Sequence, residues 1–375
     1  MANRFEQLAA PGIRRLSPYV PGKPPEQLER ELGIRDSIKL ASNENPLGPG
    51  PRARAALAGA IAGVGLYPDG SGHELRARLA AMHGVTPGQV TLGNGSNDIL
   101  VLLAETFLTP EREAVYSQYA FAVYPIAVQA AGAGARVAKA HPPDHRMPLG
   151  HDPVALLAEV GPKTRLVFIA NPNNPTGTWL DARELDVLLR AMPPEVIVVL
   201  DEAYHEYSVG AGVPDGTRWL GGHPNLVVVR TFSKAYGLAG LRVGYALSDP
   251  DVADLLNRVR QPFNVSVPGL AAAAAALDDR AHLEETIALN REGLARLREG
   301  LTALGLRVSP SAANFVLVDL GRPAAAVNDA LQRQGVIVRP LANYGLPDHL
   351  RITTGTAAQN ERLLAAMAKA LAAPA

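Results

Sequence analysis

Two apolar runs, Val196-Ile-Val-Val-Leu200 and Leu226-Val-Val-Val-Arg230, the second closing on an arginine, constrain the fold of this chain more than any other feature. Neither alternates with polar residues, so each reads as a buried strand. Similar runs at 90–92, 113–116 and 166–170 alternate with helical stretches at 97–107, 181–191 and 251–260. That order predicts an α/β fold whose mostly parallel sheet is covered by helices on both faces. With 375 residues the chain exceeds one ordinary core, and two domains are expected. The texture changes after Pro262, where an Ala-rich stretch at 271–276 leads to a charged helix near 280–304. Strand candidates at 306–308, 314–318 and 336–338 and a helix near 357–372 follow. The expected division is therefore an N-terminal arm over 1–35 packing with the small domain, a large domain over 36–263, and a smaller α+β domain over 264–375.

The 36 basic and 36 acidic residues cancel, which argues against a nucleic-acid or anionic-membrane surface. No cysteine is present, so disulfides and thiolate metal sites are excluded. The nine histidines show no ligand-like spacing, and no metal is expected. Neither an apolar signal core at the start nor a run long enough to span a membrane is visible, and the expectation is a soluble cytoplasmic protein.

The ends of the apolar runs carry the chemistry. Lys234 follows the 226–230 run in Thr231-Phe-Ser-Lys-Ala-Tyr-Gly, on a loop at a strand's carboxyl edge, where open α/β sheets bind ligands. A lysine held there near a cation such as Arg242 loses its proton more easily and becomes a nucleophile able to form an imine; the plain alternative is a surface lysine. Asp201 ends the 196–200 run, and a buried carboxylate needs a partner. A protonated pyridine nitrogen would be one, whereas a helix cap is the ordinary reading. Tyr204 is either a core tyrosine or a donor to a cofactor's phenolate oxygen. Asn171-Pro-Asn-Asn-Pro-Thr-Gly177 follows the 166–170 run and can aim Asn174 at the same oxygen, although a plain strand-to-helix turn uses the same residue types. Gly93-Asn-Gly-Ser-Asn97 opens a helix whose first amides, with Ser96, offer either a phosphate cradle or a simple cap.

Taken in order, these strings resemble the fold type I, aspartate-aminotransferase-like enzymes that use pyridoxal 5'-phosphate, over about residues 12 to 372. Leu16-Ser-Pro-Tyr19, Leu40-Ala-Ser-Asn-Glu-Asn-Pro-Leu-Gly48, Tyr67-Pro68, Gly237-Leu-Ala-Gly-Leu-Arg242 and Arg351-Ile-Thr-Thr-Gly355 are similar, within that superfamily, to the histidinol-phosphate aminotransferases. The resemblance implies a large domain with a seven-stranded-type, mostly parallel sheet sandwiched by helices, plus a smaller α+β domain. It implies Lys234 as the imine-forming base, Asp201 on the pyridinium, and Asn174 with Tyr204 on the phenolate oxygen. Gly95, Ser96, Asn97, Thr231, Ser233 and Arg242 would form the phosphate shell. Tyr119 would stack on the ring, and Tyr67 would reach the cofactor phosphate of a neighbouring subunit in a homodimer. Arg351 and Arg339, with Tyr19 and Asn314, would bind substrate.

The implied reaction belongs to histidine biosynthesis: histidinol phosphate and 2-oxoglutarate exchange an amino group to give imidazole acetol phosphate and glutamate, by a ping-pong cycle. One departure bears on substrate. Many members of the family it resembles carry Pro-Thr-Tyr before the stacking tyrosine, and this chain has Ser117-Gln-Tyr119. An aromatic amino-acid aminotransferase is thus the nearest alternative, followed by a decarboxylase of phosphorylated amino acids and a non-catalytic pyridoxal-phosphate-binding module.

Overall fold

The structure, a computed structural model, describes residues 4–372. Numbered along the chain, its strands are β1 Ile38–Lys39, β2 Val90–Gly93, β3 Glu113–Ser117, β4 Gly134–Ala138, β5 Thr164–Ala170, β6 Ile197–Asp201, β7 Leu226–Thr231, β8 Gly244–Leu247, β9 Arg307–Val308, β10 Phe315–Asp319, β11 Val336–Ile337, β12 Arg339–Leu341 and β13 Leu346–Thr353. Seven of them form one sheet in the order β2-β8-β7-β6-β5-β3-β4. Only β8 runs against its neighbours, so the sheet is mostly parallel.

The apolar runs occupy the middle of this sheet, as their lack of alternation requires. Val198, Val199, Leu200, Val227 and Val228 are all buried. Helices Ser96–Phe107, Val123–Ala130 and Pro250–Val259 cover one face, with Ile99, Leu103, Val128 and Leu256 in its core. Helices His73–His83, Ala182–Ala191 and Val267–Ala276 cover the other. Register sets Ala170 beside Asp201 and Asp201 beside Val229, so the loops leaving β5, β6 and β7 emerge together at one edge.

The second sheet, β12-β13-β10-β9, is antiparallel and packs with helices Arg280–Ala303, Ala324–Arg333 and Ala357–Ala372. Packing cuts the chain differently from the expected 263/264 boundary at two places. Helix Val267–Ala276 lies past that boundary, yet its Ala272, Ala273, Ala274 and Ala276 belong to the large sheet's core; side chains this small let it approach helix Pro51–Ala60 closely. Strand β1 lies before it, yet pairs in parallel with β11 of the small unit. The described part of the arm touches both units: Leu28 packs with Ala41 and Ile337, and Gln129 Nε2 donates to Gly12 O (3.1 Å). Among the described residues no helix is long and apolar enough to cross a membrane.

Candidate active site

The loops at the carboxyl edge of β5, β6 and β7 meet a face of the small unit in a cavity. Tyr19, Ser96, Asn174, Asp201, Tyr204, Lys234, Arg339 and Arg351, all marked in the sequence, line it. Ser233 N–H donates to Thr231 Oγ1 (3.1 Å), which tightens the turn that carries Lys234 out of β7. Gly237 closes that turn at φ +70, where a Cβ would run into the backbone of Gly48. The half-buried Lys234 donates from Nζ to Ser42 O (3.1 Å). Burial first, then the nearby Arg351, pulls its pKa down to about 8, with Glu44 opposing and Arg242 and Lys39 adding to the fall. An amine in that range is a nucleophile at moderately alkaline pH.

Asp201 is 5% exposed, with Oδ2 accepting from Tyr124 O–H (2.8 Å) and Oδ1 from Ala203 N–H (3.2 Å). Burial pushes its pKa up to about 6, against these two donors and the charge of Lys234. A cationic N–H entering the cavity would supply the partner that the carboxylate lacks. Tyr204 packs edge-on to Phe315 (5.3 Å) and accepts at its hydroxyl from Asn43 Nδ2 (2.7 Å). Asn174 Oδ1 accepts from Arg351 Nη1 (2.6 Å), which leaves the amide's NH₂ as its free donor.

Arg351 on β13 and Arg339 on β12 are direct partners across the antiparallel pair. Like charges opposite one another are unfavourable, and both side chains are only 6% exposed. Arg351 Nη2 donates to Ala41 O (2.7 Å), and Arg339 Nη2 to Val20 O (2.7 Å), with Tyr19 beside it (5.9 Å to the ring centre). Among the described residues neither guanidinium has a carboxylate partner within ion-pair distance, so both charges remain available to an anion entering the cavity.

A turn able to hold an anion opens helix Ser96–Phe107. Gly95 has φ +80, and a Cβ there would overlap the Arg242 guanidinium; a Cβ on Gly244 would overlap the backbone of Ser96. Two glycines thus let an arginine and a strand close on the helix's first amides, with Asn97 on the same turn. Arg242, itself at φ +54, donates from Nη1 to Ser233 Oγ (3.1 Å).

Of the marked residues that do not line the cavity, Gly95, Asn97, Thr231, Ser233 and Arg242 cluster around the start of helix Ser96–Phe107, and three others, Tyr119, Asn314 and Tyr67, stand elsewhere. Tyr119 packs against Leu149 and its neighbours, while Phe121, two residues on, lines the cavity. Asn314 is buried one step behind, donating to Asn43 O (3.0 Å). Tyr67 is 81% exposed on an outer surface, stacked on Phe263 (4.7 Å). Conversely, Asn43, Phe121 and Tyr124 carry contacts that sequence reasoning did not assign. Asn43 stood inside the quoted Leu40–Gly48 string, and Tyr124 just past Tyr119, so position alone was the available signal. Glu202, His205 and Asp215 come within metal-ligand reach of one another, but Arg230 Nη2 already sits on Glu202 Oε2 (2.7 Å) and Asp215 Oδ1 (2.6 Å) and supplies the cation.

An activated amine, a buried carboxylate without a cationic partner, two free donors on Asn174 and Tyr204 and a glycine-cleared helix start match the chemical groups of pyridoxal phosphate. Fold and site together define a pyridoxal-phosphate enzyme of fold type I. The chain belongs to the class I and II aminotransferases, whose family model matches residues 35–367. It is 57% identical over 374 residues to Histidinol-phosphate aminotransferase 2 of Pseudomonas fluorescens, covering 99% of this chain and 100% of that one. The protein of the same description from Methylococcus capsulatus is 57% identical over 364 residues, covering 97% and 98%. Among solved structures, histidinol-phosphate aminotransferase from Sinorhizobium meliloti in complex with pyridoxal-5'-phosphate superposes with a TM-score of 0.88 at 32% identity, covering 97% of each chain.

Proposed function

We propose that this chain passes an amino group between histidinol phosphate and 2-oxoglutarate, with pyridoxal phosphate as cofactor. The observation that carries the substrate is the in-register pair Arg339 and Arg351, two buried guanidiniums facing one cavity. A phosphate dianion suits them better than a single carboxylate, and each carboxylate of glutamate finds a fork in turn. The names of the relatives support the same substrate.

When bound, pyridoxal phosphate supplies a carbonyl for the amino group and a ring that withdraws electrons from the substrate's α-carbon. The chain's own residues do the rest. Lys234 Nζ would hold the cofactor's carbonyl end and, as a free amine, would take the proton from that α-carbon. Asp201, as an anion, keeps the ring nitrogen protonated. The Asn174 amide and the Tyr204 hydroxyl donate to the phenolate oxygen. The amides of Ser96 and Asn97, at a turn that Gly95 opens, would hold the phosphate with Thr231, Ser233 and Arg242; the Gly95 N–H itself donates to Gly93 O (2.8 Å). Arg351 and Arg339 grip the substrate's anionic groups, with Tyr19 closing over the latter and Asn314 supporting from behind.

Two copies are proposed to pair through the exposed apolar surface of Ile61, Val64, Leu66, Tyr67 and Phe263, which brings Tyr67 toward the partner's cofactor phosphate. By packing, the large unit runs to helix Val267–Ala276 and the small unit starts at Arg280. A half-reaction tests the proposal. The visible absorbance of the loaded protein should be lost on adding histidinol phosphate and restored by 2-oxoglutarate. Lys234→Ala should turn over at least about 10²-fold more slowly; unchanged turnover in that variant would overturn the assignment of the lysine.

A further inference from the structure

Asn43 makes more buried polar contacts than any catalytic duty so far described requires. Its backbone sits at φ +56, a left-handed conformation that Asn tolerates and most side chains do not. Its N–H donates to Thr353 Oγ1 (3.0 Å), and the Thr353 hydroxyl in turn donates to Asn43 Oδ1 (3.0 Å). Its carbonyl accepts from Asn314 Nδ2 (3.0 Å). All of these groups are buried. The pairing fixes which way the amide faces: reversing it would leave the Thr353 proton without an acceptor. Nδ2 therefore points at Tyr204, donating to its hydroxyl oxygen at 2.7 Å.

A phenol has one proton to give. Burial raises the Tyr204 pKa well above the ordinary tyrosine value, so that proton stays on. Among the described residues nothing accepts it, and Tyr204 lines the cavity. We propose that Asn43 is a positioning residue: its amide, locked by Thr353, fills the acceptor side of the Tyr204 hydroxyl and so commits that hydroxyl to donate into the cavity. The device rests on the reading above, in which Tyr204 donates to the cofactor's phenolate oxygen. It also ties that donor to β13, since Thr353 lies two residues beyond Arg351 on the same strand.

The test is a double-mutant cycle on the full chain. Pyridoxal phosphate is titrated into the apoprotein of the parent, Asn43→Gly, Tyr204→Phe and the double variant; glycine keeps the left-handed backbone without strain. The pH midpoint of the visible band is then read on each loaded protein. Asn43→Gly should weaken cofactor binding about three- to tenfold. It should also move the midpoint upward, because the phenolate oxygen loses a committed donor and becomes more basic. In the Tyr204→Phe background neither quantity should change further. Equal losses in both backgrounds, or an unmoved midpoint in the single variant, would overturn the proposal. If Tyr204→Phe alone changes neither quantity, the assignment of Tyr204 falls, and the proposal with it. Thr353→Val, which frees the Asn43 amide and also removes the acceptor of the Asn43 backbone N–H, gives a second cycle with the same expected signs should Asn43→Gly fail to fold.

Discussion

Asp201 holds its proton to about pH 6 in the folded chain, against 3.8 for an ordinary aspartate, because burial outweighs its two donors and the charge of Lys234. Between those pH values the unfolded chain gives up a proton that the folded chain keeps. The stabilisation from that proton is therefore full below about pH 4 and is lost as pH rises through 6. At neutral pH the ionised carboxylate costs the apoprotein ~1–3 kcal/mol. Asp201→Asn should make the apoprotein more stable than the parent by about that amount above pH 6, with the gap closing toward pH 4, while turnover collapses. Denaturant unfolding at several pH values checks this, and a gap that did not vary with pH would count against it. At this scale Lys234, Asp201 and Asn174 were legible because each follows an apolar run, so strand and loop could be read together. Asn43 and Tyr124 were not, since each acts through a hydrogen bond to a residue 161 and 77 positions away, to Tyr204 and Asp201 respectively.

Strands β12 and β13 show how an element's register makes chemistry. Setting Arg339 opposite Arg351 costs electrostatic energy in the apoprotein, and an anion between them recovers it. Truncating one fork should therefore hurt the phosphate substrate selectively. Arg339→Ala should lower kcat/KM for histidinol phosphate by roughly 10- to 100-fold, from the worth of charge-assisted hydrogen bonds. It should lower kcat/KM for a carboxylate substrate such as phenylalanine less; equal losses would contradict the assignment. The sequence marked both arginines through resemblance and not through periodicity. Leu346-Pro-Asp-His-Leu-Arg-Ile-Thr353 mixes proline and charge into an eight-residue strand, and its pairing with β10 and β12 decides its state. Strands β4 and β8 were hidden for related reasons: β4 is a largely exposed edge, and β8 is four residues opening on a glycine.

On the scale of the whole molecule, the cavity exists only because two units meet. Lys234, Asp201 and Asn174 come from the edge of the large sheet, and Arg339 and Arg351 from the small one. The Ala41–Asn43 segment stitches them: its successive carbonyls accept from Arg351, Lys234 and Asn314. The alternation of apolar runs and helices made the large sheet readable in advance. The stitching was not, because β1 is two residues long and takes its place by pairing with β11. Pairing of two copies has its own check. The parent chain should sediment as a dimer, and Leu66→Asp, in the exposed apolar surface, should shift it toward monomer and weaken cofactor binding; an unchanged mass would rule that surface out. The central claim is most directly tested by kcat/KM for histidinol phosphate and for phenylalanine, each with 2-oxoglutarate as acceptor, on the same preparation. Histidinol phosphate should be preferred by about 10²-fold or more, since a site built for a phosphate leaves its guanidiniums unpaired with an uncharged ring. Equal or better turnover of phenylalanine would contradict it.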